Sequence, residues 1–270
     1  MFGFEDRAKL RPAWNLFDEE TMNLQNAVAI VTGGTGGLGR RICHALAVKG
    51  VRLAVGYAQR QAEGEAVAAE MRRLGAQAVA VGVDVTQPES VQGLVDRTLR
   101  EFGRIDILVN DAAYNKWIPF AQLQDLQMED WTKILEVNLT GPFVCSKAVA
   151  PIMKRQGRGR IVNVSSLAGL SPTGSSIPYA VSKAALIHLT RCLAVALAPE
   201  VLVNCVAPGF MEGTRMSENL APEYQQKARQ NSLLQRAADK DDVAEMAAEF
   251  CRTESITGQT LVVDAGRVFH

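Results

Sequence analysis

The sequence predicts an α/β protein, a doubly wound three-layer sandwich with a mostly parallel seven-stranded sheet. Three observations carry that expectation. Apolar, β-branched runs alternate with helical patterns along most of the 270 residues, which is the rhythm of parallel strands joined by crossover helices. A glycine-rich turn, TGGTGGLG, links the first such run to the first helical pattern. The hydrophobic content is 47%, enough in a chain of this length to bury both faces of a sheet.

Taken in order, residues 1–26 form an N-terminal arm in which Phe2, Phe4, Trp14 and Phe17 stand among charges without a clear period. A native arm packed on a neighbour, a mobile tail and extraneous sequence before a start at Met22 all remain open for it. Residues 27–270 read as a single domain without an internal break, repeat or low-complexity tract. AVAIVTGGTGGLGRRICHALAVKG (27–50) runs from strand through turn into a helix closed by Gly50. VRLAVGYA is a second buried strand, QAEGEAVAAEMRRLGA a helix and QAVAVGVDV a third strand. A helix at 88–102, the strand IDILVND and a long helical region including WTKILEVNLTGPFVCSKAVAPIMKRQ continue the alternation. GRIVNVSS is the fifth strand, and Ser175, Ser176 and Pro178 announce the helix after it. The sixth strand is VLVNCVAP, followed by a loop with a short helix near 214–235, a helix at 241–252 and the closing strand QTLVVDAG.

Composition narrows the function. Lys plus Arg and Asp plus Glu balance at 29 each, so the basic excess typical of a nucleic-acid binder is missing and no such partner is expected. The five cysteines (43, 145, 192, 205, 251) show no CxxC spacing, which argues against a structural zinc site or disulfide framework and for a reducing, cytoplasmic setting. No run approaches the roughly 18 uninterrupted apolar residues of a membrane span. His44 and His188 read as helix-face residues, and no metal is expected.

One constellation points to chemistry. Tyr179 and Lys183 stand four apart after a helix start, and Ser166 lies thirteen residues upstream of the tyrosine. Side chains four apart share a helix face. An ammonium about 4 Å from a phenolate at an effective dielectric near 20 contributes roughly 4 kcal/mol, which corresponds to a phenol pKa lowered by up to about 3 units. Such a tyrosine trades protons near neutral pH. Upstream, Gly33, Gly37 and Gly39 form GxxxGxG between strand and helix, permitting close approach of backbone N–H groups to a pyrophosphate.

The ordered set of motifs resembles the short-chain dehydrogenase/reductase family over residues 25–266: TGGTGGLG, Asp84 in VDVT, NDAA, NLTG with Asn138, NVSS with Ser166, YAVSK, APG at 207–209 and ITGQTLVVDAG. The similarity is greatest to its 3-oxoacyl-carrier-protein reductase-like branch and implies a Rossmann-type fold. It also implies that Gly33, Thr35, Gly37, Leu38 and Gly39 surround the cofactor phosphates, with Asp84 and Val85 at the adenine. Asn110 and Ala112 would line the path to the nicotinamide ribose, and Pro208, Gly209 and Thr214 the carboxamide side. The catalytic set implied is Asn138, Ser166, Tyr179 and Lys183. Tyr179 would exchange the proton of a ketone/secondary-alcohol pair and Ser166 would bind its oxygen. Lys183 would hold the ribose and lower the tyrosine pKa, and Asn138 would hold a water connecting Lys183 to solvent. Ser165 is the alternative neighbour, and strand alternation allows only one of the two serines to face the site.

The end of the second strand carries Tyr57 and, shortly after, Arg60, with no carboxylate to repel a 2′-phosphate. That tilts the cofactor modestly toward NADP(H) over NAD(H). In NDAA, Asp111 replaces the second asparagine of the family's usual NNAG. The pocket segments 114–120, 167–173 and 210–220 mix aromatic and apolar groups with few charges, suiting a small or medium carbonyl/alcohol substrate of moderate polarity. The resemblance further implies a homo-oligomer, tetramer or dimer. A nucleotide-sensing binding protein with little turnover is the alternative, and the intact Tyr and Lys weigh against it.

Overall fold

The computed structural model describes residues 22–269; residues 1–21 of the arm and His270 lie outside them. Seven parallel strands form one sheet in the order β3-β2-β1-β4-β5-β6-β7. They are β1 (Val28–Thr32), β2 (Arg52–Tyr57), β3 (Ala78–Gly82), β4 (Ile107–Asn110), β5 (Gly159–Val164), β6 (Val201–Pro208) and β7 (Thr260–Val263). Every strand pairing is parallel, for example Ile30 opposite both Ala54 of β2 and Leu108 of β4.

Parallel pairing follows from the connections, because each of the first six strands is followed by helix that returns the chain to the same end of the sheet. The helices are α1 (Gly39–Ala47), α2 (Gln61–Arg73), α3 (Pro88–Phe102), α4 (Met128–Leu135), α5 (Gly141–Gln156), α6 (Ile177–Leu197), α7 (Arg215–Glu218), α8 (Pro222–Gln230) and α9 (Lys240–Arg252). Strand alternation splits the core into two layers. Ala29 and Val31 of β1 pack with Ile42 and Leu46 of α1, Met71 of α2 and Ala247 of α9. Ile30, between them, joins Leu94 of α3, Val149 of α5 and Leu193 of α6 on the opposite face. All five residues of β1 are buried, as expected of a central strand covered on both sides.

Three boundaries differ from the sequence reading. Residues 22–26, placed there in the arm, contribute Met22 and Leu24 to the core, and the Met22 amide donates to Arg252 O at 3.0 Å. The long helical region is α4 and α5 joined by a π-helical turn, Glu136–Thr140. The short helix near 214–235 is two, α7 and α8, separated because Pro222 begins a new first turn. Helix α6 passes a length-and-hydropathy test for a membrane span, but it carries buried Ser182, Lys183 and Thr190 against the sheet.

Candidate active site

Between β1 and β4 the strand order reverses direction, and in such sheets the crevice at the carboxyl ends of the strands is the binding place. A cleft of about 400 Å³ opens there. One wall is the glycine turn with Gly33, Thr35, Gly37 and Leu38, flanked by Tyr57, Arg60, Asp84, Val85 and Ala112. The other holds Ser166, Tyr179, Lys183, Pro208, Gly209 and Thr214.

The turn is built for close approach. Gly33 has φ +69°, a left-handed conformation that a side chain would strain. A Cβ on Gly37 would lie 2.6 Å from Gly213 O, and one on Gly39 would overlap Gly33 O. Thr32 ties the turn to β4 and the loop behind it, donating to Val109 O at 3.3 Å and accepting from the Ala112 amide at 3.3 Å. A diphosphate fits such a glycine-rich turn, where α1 opens with no side-chain cap of its own.

Helix α6 starts as its sequence suggests. Ser176 is the N-cap, accepting from the Tyr179 amide at 3.4 Å, and Pro178 sits in the first turn. Four-residue spacing then puts Tyr179 and Lys183 on one face, with the Lys183 Nζ 5.8 Å from the phenol ring centroid. Lys183 is 3% exposed and donates to Val164 O at 2.9 Å. Strand alternation separates the two serines: Ser165 Oγ turns inward and donates to Lys183 O at 2.8 Å, while Ser166 lines the cleft together with Tyr179.

The electrostatics differ from the simple pairwise expectation. Burial pushes the Tyr179 phenol up to about 12, with the neighbouring Ser166 hydroxyl acting in the opposite sense. Burial also pushes Lys183 down to about 8, although Asp111 and Cys205 act in the opposite sense. The ammonium spends a hydrogen bond on Val164 O and does not touch the phenol, so desolvation outweighs the attraction that would have lowered the tyrosine. The tyrosine is therefore a protonated acid at neutral pH in the free protein.

Three residues expected at the cofactor or substrate stand just outside the cleft lining. Gly39 lies beneath the turn. Asn110 is 2% exposed, and its Nδ2 donates to Asn163 Oδ1 at 2.8 Å, because its place on β4 turns the side chain into the layer below the sheet. Asn138 is fully buried. It accepts from the Tyr114 amide at 2.7 Å and donates to Tyr114 O at 2.9 Å and to Ser182 Oγ at 3.1 Å. The π-helical turn carries it there, clamping the loop after β4 to α6.

The cleft also contains residues the sequence did not single out. Tyr224 of α8 joins its hydroxyl to Thr173 Oγ1 at 2.9 Å and accepts from the Gly174 amide at 3.1 Å. Its ring packs edge-on against Trp117, centroids 5.4 Å apart. No local signal in the sequence ties Tyr224 to a loop some fifty residues earlier. Asp111 lines the cleft as well, and its signal was the carboxylate standing where the related motif has an amide. Among the described residues no cluster of three metal-ligating side chains occurs.

A glycine turn and a Ser, Tyr and Lys set facing each other across one crevice define a dinucleotide-dependent oxidoreductase site. The model of the short chain dehydrogenase family matches residues 27–225, and the chain belongs to that family as an NAD(P)(H)-dependent short-chain dehydrogenase/reductase. It is 39% identical over 246 residues to a 3-oxoacyl-[acyl-carrier-protein] reductase of Synechocystis, covering 89% of this chain and 96% of that one. It is 36% identical over 248 residues to human dehydrogenase/reductase SDR family member 4, covering 90% and 88%. Among solved structures, a short chain dehydrogenase from Burkholderia cenocepacia in complex with NADP superposes with a TM-score of 0.83 at 35% identity, covering 91% of this chain and 99% of the other.

Proposed function

We propose that the protein interconverts a ketone and a secondary alcohol, with Tyr179 as the acid/base. The observation that supports this most directly is that Ser166 and Tyr179 line the same cleft as the glycine turn. A carbonyl oxygen placed between them accepts from both. Ser166 then stabilises the negative charge that develops on that oxygen, and the Tyr179 O–H supplies the proton. The nicotinamide cofactor, when bound, supplies or accepts the hydride. Lys183, buried beside the phenol, is positioned to donate to ribose hydroxyls, and Asn138 fixes the helix that carries both.

The reading extends to NADP(H). Arg60 lies at the mouth beside Tyr57 and pairs with Glu63, which also pairs with Arg215. This places a guanidinium near the end of β2, with no carboxylate of that strand end facing it. The Burkholderia relative's NADP complex is consistent with this choice. The substrate side, framed by Leu167, Phe210, Leu220 and Tyr224, suits an apolar chain next to the carbonyl, as in oxoesters and diketones. A homo-oligomer also belongs to the proposal, supported by exposed Phe143, Val181 and Val195 on α5 and α6.

The test is absorbance at 340 nm with NADPH and a panel of diketones and 3-oxoesters. Turnover is expected in the wild type, and Tyr179→Phe should lose on the order of 100-fold or more in kcat while binding NADPH as before. Dinucleotide binding without turnover on any panel member would instead favour the nucleotide-sensing reading, and a fully active Tyr179→Phe would place the acid elsewhere.

A further inference from the structure

We propose that Asp111 is a positioning residue through which dinucleotide binding takes up a proton: a diphosphate in the glycine turn converts its carboxylate to the neutral acid. The inference rests on the cofactor reading of the cleft and adds to it a group that the catalytic set does not use.

The geometry is unusual for a carboxylate. Asp111 follows β4 directly, and its carboxylate lies against the start of α1 at Gly39. A Cβ on Gly39 would lie 2.8 Å from Asp111 Oδ2, and one on Gly36 3.9 Å from it. The side chain thus stands beside the N-terminus of α1, which has no side-chain cap of its own, and negative charge is favourable there. An asparagine would fill the same space without the charge. What the carboxylate adds is charge, placed against the turn that must receive a diphosphate.

The charges facing it do not neutralise both anions. From α6, the Lys183 ammonium attracts it and Tyr179 stands nearby as a neutral phenol. From α1, Cys43 is a fully buried thiol that Asp111 helps to keep protonated. The turn itself, Gly33 to Gly39, has no charged side chain. Burial already pushes the Asp111 carboxyl up to about 7, with Lys183 and the Gly39 amide opposing. A diphosphate nearby raises it further, since a like charge disfavours ionisation. The sign follows: the bound state holds the proton more tightly than the free state, so affinity is full below pH 7 and falls as pH rises above it.

The experiment is fluorescence titration of NADPH into wild type and Asp111→Asn from pH 6 to 8.5. Calorimetry at pH 7 in two buffers of different ionisation enthalpy accompanies it. Asparagine is isosteric and keeps the packing against α1. Wild-type Kd is expected to rise roughly tenfold over that range, with a fractional proton taken up at pH 7. Asp111→Asn should match wild type at pH 6 and bind about tenfold more tightly than it at pH 8.5. Lys183 makes the contrast decisive, because loss of its anionic partner lowers its pKa and would weaken, not tighten, the variant at high pH. A variant equal to or weaker than wild type at pH 8.5, or no proton uptake by the wild type, overturns the inference. Absence of NADPH binding at every pH would instead overturn the cofactor reading on which it rests.

Discussion

Replacing Asn138 with alanine tests whether this buried amide acts in the fold or only in a solvent relay. The substitution removes three hydrogen bonds of 2.7, 2.9 and 3.1 Å, two of them to the backbone of Tyr114 and one to Ser182 Oγ. Asn138 is fully buried, so water cannot readily replace it. Ser182 keeps a partner, since its hydroxyl donates to Tyr179 O at 2.7 Å. The main loss is therefore the Tyr114 amide and carbonyl, each costing about 1–3 kcal/mol when left unpaired in the interior. A total of roughly 2–6 kcal/mol follows from that range, lessened if the loop after β4 relaxes toward solvent. Urea unfolding followed by circular dichroism measures it, with NADPH binding and turnover recorded on the same preparations. Asn138→Asp should recover the bond from the Tyr114 amide but set a carboxylate against Tyr114 O, giving a loss at least as large. If Asn138→Ala stays within about 0.5 kcal/mol of wild type, the clamp is not structural and its hydrogen bonds are dispensable.

Three further outcomes are expected. Gly39→Ala should cost about 1–3 kcal/mol and greatly weaken NADPH binding, because the new methyl overlaps Gly33 O; thermal melting and NADPH fluorescence check it, and unchanged affinity would show that the turn is not the phosphate site. Arg60→Ala should weaken NADPH several-fold while leaving NADH nearly unchanged, measured as the ratio of kcat/KM for the two; an unaltered ratio removes Arg60 as the phosphate partner. The rate of ketone reduction should fall as pH rises through about 8, where Lys183 loses its proton, while the Tyr179 proton, held to about 12, remains available. A rate that holds constant to pH 9.5 would mean that the ammonium is not required.

Much of this molecule is written in short-range pattern. Strand period two at Ala29, Ile30 and Val31 assigns neighbours to opposite core layers, and the four-residue step from Tyr179 to Lys183 assigns both to one helix face. The same alternation admits only one of Ser165 and Ser166 to the site, and the thirteen-residue spacing to Tyr179 that the family resemblance implies selects Ser166. Elements and their order were legible for that reason, since backbone geometry repeats every two or 3.6 residues regardless of what lies far away. The breaks came where geometry departs from those periods. The π-helical turn at Glu136–Thr140 reads as ordinary helix in sequence, and only its packing against the Tyr114 loop reveals why Asn138 turns inward.

The electrostatic state of the site was less legible. Spacing sets Lys183 beside Tyr179, yet how far each is desolvated depends on walls supplied by β4, β5 and α8. Burial reversed the expected direction for the tyrosine. The sequence by itself determined the parallel α/β class, the glycine turn and the Ser, Tyr and Lys face, all properties of contiguous segments. Tertiary structure alone decided that Asp111 sits under α1, that Asn138 clamps Tyr114 and that Tyr224 latches onto the loop at Thr173. Those contacts join residues that are distant in the chain, and their energies depend on distances and dielectric surroundings that exist only once the layers have packed.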